Sequence, residues 1–128
     1  MKIFVSVLIL AVGGNLTPGN AAQVTPLISM ELVGTPSKEA VMMTVEYPPG
    51  YEGAVHRHNA QSLIYVIDGS VVMQVRGGEQ VTLEAGQTFY EAPADVHVVG
   101  RNASNSKPAR LVVFLIKDKG APIVIPAE

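Results

Sequence analysis

The sequence predicts an all-β, single-domain protein built as an antiparallel sandwich or barrel. Short β-branched and aromatic runs recur at intervals of roughly eight to twelve residues, punctuated by glycine and proline. No stretch carries a sustained helical period. At 128 residues, with 48% apolar and 16% charged side chains, the chain is one domain with enough apolar surface for a real core, and it is not a disordered segment.

The expected strands follow in order. Residues 27–33 and 40–47 are β-rich and flank Gly34-Thr35-Pro36, and Pro48-Pro49-Gly50 ends the second with a forced bend. Residues 54–58, 63–67 and 71–75 come next, with Asp68-Gly69 as the turn between the last two. Gly77-Gly78 joins 71–76 to 79–83 as a tight hairpin. Glu84-Ala85-Gly86 turns into 88–91, after which 96–99 and 111–116 complete the set, and the tail 122–126 reads as an extended edge segment.

Residues 1–22 differ from the rest. Lys2 precedes an apolar run over 3–12, then Gly13-Gly14, a Thr17-Pro18-Gly19 breaker and the small pair Ala21-Ala22. This is the layout of a secretory signal peptide, and the run is too short to span a bilayer. Cleavage is expected after Ala21 or Ala22, with Gly19 favouring the first. The alternative is an N-terminal strand or a retained anchor. The expected mature domain is 23–128, periplasmic or secreted from a bacterium, with no membrane association after cleavage. Lys2 is the only charged residue of 1–22, so its loss moves the net charge from −2 to −3. That balance, with no lysine/arginine cluster, gives no footing for nucleic acid. Cysteine is absent, which excludes thiolate ligands, disulfides and cysteine nucleophiles, and suits an exported protein that needs no oxidative folding. No G-x-S-x-G elbow is present for a serine hydrolase.

All three histidines stand where a metal site would want them. His56 and His58 form an H-x-H pair after a glycine-rich turn, and His97 follows in a second glycine/proline-marked segment. On an extended strand, residues two apart share a face, so the first two imidazoles converge and the third can close a facial triad. Neutral imidazole suits Mn, Fe, Co, Ni, Cu or Zn. The competing role is packing or hydrogen bonding inside a barrel. Arg57, between the pair, is expected to face solvent. Tyr65, Met73, Val75, Phe89 and Tyr90 are either cavity wall or plain core. Glu91 and Asp95 are candidate general bases or partners for His97, although a solvated loop carboxylate is the commoner role.

Two segments, Gly50 to Gly69 and Gly86 to His97, resemble the two signature motifs of the cupin superfamily. Gly50, His56, His58 and Gly69 fit the first motif without a shift; Gly86 and His97 fit the second, with Pro93 one residue from its expected place. The resemblance covers roughly residues 40 to 117 and looks nearest to small exported single-domain cupins of the quercetin dioxygenase-like group. This chain departs from the motifs in places. Ser62 stands at the glutamate ligand's position, with Gln61 just before it; Ala92 and Ala94 replace a proline and a glycine; Arg101 takes the asparagine's place, with Asn102 beside it. Two coordination shells follow. Either the Gln61 carbonyl oxygen joins the histidines, or water completes a three-histidine site. Gln61 is favoured if the turn at Asn59-Ala60 is irregular, because regular alternation would point residue 61 away from residue 62.

The resemblance implies a jelly-roll β-barrel that binds one divalent transition metal, Mn, Fe or Ni first and Zn, Co or Cu otherwise, at His56, His58, His97 and Gln61. It implies a small-molecule substrate and a homodimer formed by pairing of sheet edges, which would also protect an exposed edge strand. In the family such sites run oxygenase, decarboxylase or isomerase chemistry on small organic acids and phenolics, and dioxygenation is the expected class. The alternative is a non-catalytic periplasmic module that binds a metal or small ligand in the same barrel.

Overall fold

Period-two alternation sets the layers of this molecule. In the computed structural model, which describes residues 20–128, the strand Gln61–Asp68 buries Ser62, Ile64 and Val66 while exposing Gln61, Leu63 and Tyr65. The expected signal peptide lies outside the described residues except for its last three.

Among the described residues ten strands run in chain order: β1 (Gln23–Leu32), β2 (Thr35–Tyr47), β3 (His56–Arg57), β4 (Gln61–Asp68), β5 (Ser70–Val75), β6 (Val81–Glu84), β7 (Thr88–Glu91), β8 (His97–Asn102), β9 (Ala109–Asp118) and β10 (Ile125–Pro126). They pair antiparallel into two five-stranded sheets, ordered β1-β2-β9-β4-β7 and β10-β3-β8-β5-β6. No helix occurs among the described residues. This is the expected all-β, antiparallel jelly roll. The core between the sheets is built from the inward sets of each, including Met43, Ile64, Val66, Val71, Met73, Leu111 and Leu115.

The first sheet extends further than its apolar runs suggest. β2 and β9 stay in unbroken register from Tyr47↔Ala109 to Lys38↔Asp118. Charged residues carry that last stretch: Lys117 is buried and its ammonium donates to Glu39, whose carboxyl is held below its usual range by that bond. At the β4–β5 turn a side chain is excluded. Gly69 has φ 78°, and a Cβ there would lie 2.7 Å from the Pro108 carbonyl oxygen. That turn carries the chain from the first sheet into the second, and the space between them holds the histidines.

Candidate metal centre

The second sheet supplies the imidazoles. His56 of β3 lies directly across from His97 of β8, with ring centroids 4.9 Å apart. His58 lies one residue past β3. Asn59 then takes a left-handed φ of 47°, a conformation asparagine tolerates better than most residues, and the chain turns into β4. The His58 ring centroid is 4.8 Å from that of His56. Arg57 is exposed.

Backbone carbonyls fix the tautomers of two rings. His56 Nδ1 lies 2.8 Å from the Ala54 oxygen, and His58 Nδ1 lies 2.6 Å from the Ile123 oxygen. A carbonyl can only accept, so each Nδ1 carries the proton and donates, and each Nε2 is left with a bare lone pair. Those two Nε2 atoms face each other at 3.3 Å. Neither has a proton to share, so the pair is repulsive unless a cation sits between them. Metal–nitrogen bonds of about 2.1 Å at angles between about 90° and 109° place two ligand nitrogens roughly 3.0–3.4 Å apart. The observed spacing falls within that range.

The first sheet supplies the acid. Phe89 and Glu91 share the inward face of β7, and Glu91 is 2% exposed. It pairs in register with Ser62 of β4, whose hydroxyl donates a long hydrogen bond, 3.5 Å, to Glu91 Oε1. Glu91 Oε2 lies 3.6 Å from His97 Nδ1 and 3.9 Å from His58 Nε2. Oε2 and both ring nitrogens of His97 are buried without any hydrogen-bond partner. One ligand atom from each of His56, His58, Glu91 and His97 can be chosen so that all lie within 4.8 Å of one another. Orphaned polar atoms aimed at a common point are expensive in a folded interior. A metal ion would satisfy Glu91 Oε2 and one ring nitrogen of His97 together, so these residues fit the group.

Burial sets the protonation states. It pushes the Glu91 carboxyl up to about 7, and the neighbouring Asp95 charge adds to the rise. It pushes the His58 imidazole down to about 4 and His97 down to about 3, with the neighbouring imidazoles adding to both. His56 is lowered by burial as well. Near neutral pH without a metal, the histidines are therefore uncharged and their contacts with Glu91 are not ion pairs. Neutral imidazoles around an ionisable carboxyl are the forms a divalent cation requires.

The structure thus brings His56, His58 and His97 together and does not bring Gln61 to them. Gln61 opens β4 with its side chain exposed on the outer face, opposite Ser62. The irregular turn at Asn59 is present, but alternation resumes at residue 61. Glu91 supplies the fourth group of the cluster instead, reaching it from the strand that pairs Ser62 with Glu91. Tyr65 and Tyr90 point outward rather than lining the interior, whereas Phe89 lies 6.3 Å from the His97 ring, centroid to centroid. Asp95 accepts from the Ala92 amide at 2.7 Å and closes its own loop. Asn102 is buried and donates to the carbonyls of Tyr47, Pro48 and Lys107.

Two antiparallel sheets enclosing a three-histidine, one-carboxylate cluster define a β-barrel of the kind that can hold a single metal ion inside. A sequence model described as the cupin domain matches residues 43–115, more than half of the chain and all four cluster residues, and the chain belongs to the cupin family. Among solved structures, the DMSP lyase DddQ from Ruegeria pomeroyi is similar at 17% identity and TM-score 0.68, covering 83% of this chain and 51% of its own. A conserved protein with a double-stranded β-helix domain from Klebsiella pneumoniae is similar at 21% identity and TM-score 0.67, covering 88% and 89%. A recombinant oxalate oxidase in complex with glycolate aligns at 21% identity and TM-score 0.64, covering 89% and 58%. This chain spans about half the length of the first of these, and such identities show the fold alone. No curated protein matches the sequence.

Proposed function

We propose that this chain is an exported, metal-dependent cupin that holds one divalent transition metal through His56, His58, Glu91 and His97, and that it carries out oxygen-dependent chemistry, dioxygenation first, on a small organic acid or phenolic. The observation that carries the metal reading is the pair of bare Nε2 lone pairs 3.3 Å apart beside three partnerless buried polar atoms.

Bound there, a divalent ion supplies Lewis acidity and a labile coordination position. The chain's own residues do the rest. His56 and His58 present Nε2 because Ala54 and Ile123 hold their Nδ1 protons. Glu91 gives the site one negative charge, and Ser62 steadies its other oxygen. Phe89, packed against the core, sets an apolar ring beside His97. Mn, Fe and Ni remain the first candidates and Zn, Co or Cu the others, since the donor set of imidazole and carboxylate suits them all. The substrate class rests on family resemblance; two structural neighbours are a DMSP lyase and an oxalate oxidase in complex with glycolate. Export is supported by β1 starting at Gln23, so removal of the leader costs no described strand. Ala22 packs against the core, which favours cleavage after Ala21.

The test is metal content by mass spectrometry on protein from its own host, followed by oxygen uptake with flavonols, catechols, β-diketones and oxalate. About one equivalent of metal is expected, absent from His56→Ala and Glu91→Ala and unchanged in Gln61→Ala. Metal-free native protein would overturn the reading; loaded protein with no turnover would leave a binding module.

A further inference from the structure

Two glycines face each other on the inner side of the second sheet. The segment 51–53 runs antiparallel to β8: Glu52 bridges to Arg101, the Gly53 amide donates to the Gly100 carbonyl at 2.9 Å, and the Asn102 amide donates to the Tyr51 carbonyl at 3.0 Å. β8 carries one extra residue against β5, between the pairs Gln74↔Val99 and Val75↔His97, so His97 and Gly100 share the inner face although three apart. Directly opposed residues of an antiparallel pair also share a face, with α-carbons about 4.5–5.5 Å apart. A ring lies against each glycine. A Cβ at Gly100 would meet the His97 imidazole at 2.8 Å, and a Cβ at Gly53 would meet the Tyr51 hydroxyl at 3.0 Å. The Tyr51 hydroxyl therefore lies beside the His97 ring, one strand spacing away. Tyr47 stacks on the Tyr51 ring, centroids 4.5 Å apart. Tyr47 is buried, and the charge of Glu91 reaches it.

The hydrogen bonds around the cluster run through His56, His58, Ser62, Asp95 and Asn102, and among the described residues none runs through the hydroxyl of Tyr51 or Tyr47. Burial holds both phenols above their usual range, with Tyr51 and Glu91 adding to the rise at Tyr47, so each keeps its proton to donate. Lys117 is the one buried cation among the described residues, and Glu39 holds it. A divalent ion with the Glu91 carboxylate leaves one surplus positive charge, which one anionic ligand neutralises. We propose that the Tyr51 hydroxyl is a substrate-binding donor: it hydrogen-bonds one oxygen of a singly charged small organic acid whose other oxygen coordinates the ion, and Tyr47 holds its ring in place. This rests on the metal reading above and narrows its substrate class to one negative charge and at least two oxygens, one for the ion and one for the phenol. A dianion would leave a buried charge unpaired, which is costly. An ionised acceptor also makes the stronger bond to the phenol.

The protein as its host processes it, loaded with cobalt(II) and titrated with glycolate, tests the proposal, with the visible absorption of the metal as the readout. Glycolate is the smallest hydroxy acid that offers both oxygens and one charge. Native protein is expected to bind it, and to bind glycolamide, its neutral counterpart, about tenfold or more weakly. Tyr51→Phe keeps the ring and its stack and removes only the hydroxyl; it should weaken glycolate binding by about tenfold or more. Tyr65→Phe, on the outer face, should bind as the native chain does. Cobalt affinity by chelator competition and the melting transition should be the same in all three proteins. A chain that takes up no cobalt would overturn the metal reading and this subsite with it. Full cobalt uptake with glycolate bound equally by native protein and Tyr51→Phe would overturn the subsite alone, as would loaded native protein that leaves glycolate unbound at about 10 mM. A Tyr51→Phe protein that loses cobalt as readily as glycolate would make the residue structural, and glycolate no tighter than glycolamide would remove the role of charge; either overturns the proposal.

Discussion

A methyl group at Gly100 would sit 2.8 Å from His97 Cε1 and 3.0 Å from Nε2. The His97 ring is 3% exposed, with Phe89 packed nearby, so it has no free space into which to retreat. Gly100→Ala should therefore displace the imidazole and lower metal affinity by about tenfold or more, with the far-ultraviolet dichroism unchanged; competition with a chromophoric chelator measures it. Glu91→Gln keeps the shape and removes the charge. Glu91 holds a proton up to about 7, while burial lowers all three imidazoles, His58 to about 4 and His97 to about 3, so loading the native protein near neutral pH should release the Glu91 proton. The Gln variant should release none. Calorimetry in buffers of different ionisation enthalpy separates the two. The three histidines were legible in the sequence because ligand type and period-two spacing coincide. Glu91 was legible as a candidate partner for His97 but not as the cluster's carboxylate, because the motif spacing points to 61 and 62, whereas the carboxylate arrives across the sheet through the Ser62↔Glu91 pair. One signal was available: in the strand 88–91, Glu91 shares a face with Phe89, and a carboxylate on an apolar face needs a partner.

At the scale of elements, the weakest piece holds the most chemistry. β3 is two residues long and meets β8 through the single pair His56↔His97. Its other side is held by the C-terminal tail: Ile125 pairs with Arg57, Pro126 with His56, Ala127 donates to the Val55 carbonyl, and Arg76 donates to the Glu128 carbonyl. The same tail presents the Ile123 oxygen to His58 Nδ1. It is a strap that orients two imidazoles. Deleting residues 122–128 should lower metal affinity by about 10- to 100-fold while shifting the melting transition of the metal-free protein much less; calorimetric melting beside chelator competition checks it. An equal loss in both would mean the tail serves folding alone. The tail was legible as an extended edge segment, and most strand positions were legible from turn residues and apolar runs. Strand ends were less so, since Glu39, Lys117 and Asp118 disguise the continuation of β2 and β9. The sheet orders and the Ile123 contact, 65 residues from His58, depend on non-local pairing that no local pattern encodes.

For the whole molecule, the cluster ties stability to pH with opposing signs. The histidines have folded values below the usual 6.5, so the stability they contribute is fully present above about 6.5 and is lost as pH falls toward the folded values of about 4 for His58 and about 3 for His97. Glu91 works the other way. Its folded value lies above the usual 4.5, so its contribution is present below about 4.5 and is lost as pH rises through about 7. Three imidazoles outweigh one carboxyl in the acid range, and the two effects nearly cancel above pH 7. The metal-free protein should therefore lose stability from about pH 7 toward pH 4 and change little between pH 7 and 8. A bound metal changes the alkaline side of this profile. It binds the folded state through the deprotonated carboxylate and neutral imidazoles, and it adds stability in proportion to the logarithm of its occupancy. The gap in melting temperature between loaded and chelator-treated protein should be widest at or above pH 7 and should close by about pH 4, as protons reclaim the ligands. Scanning calorimetry across that range reads the gap directly. A gap that is constant from acid to alkaline pH would place any bound metal somewhere other than these four residues, because no site built from this carboxyl and these imidazoles can ignore the proton.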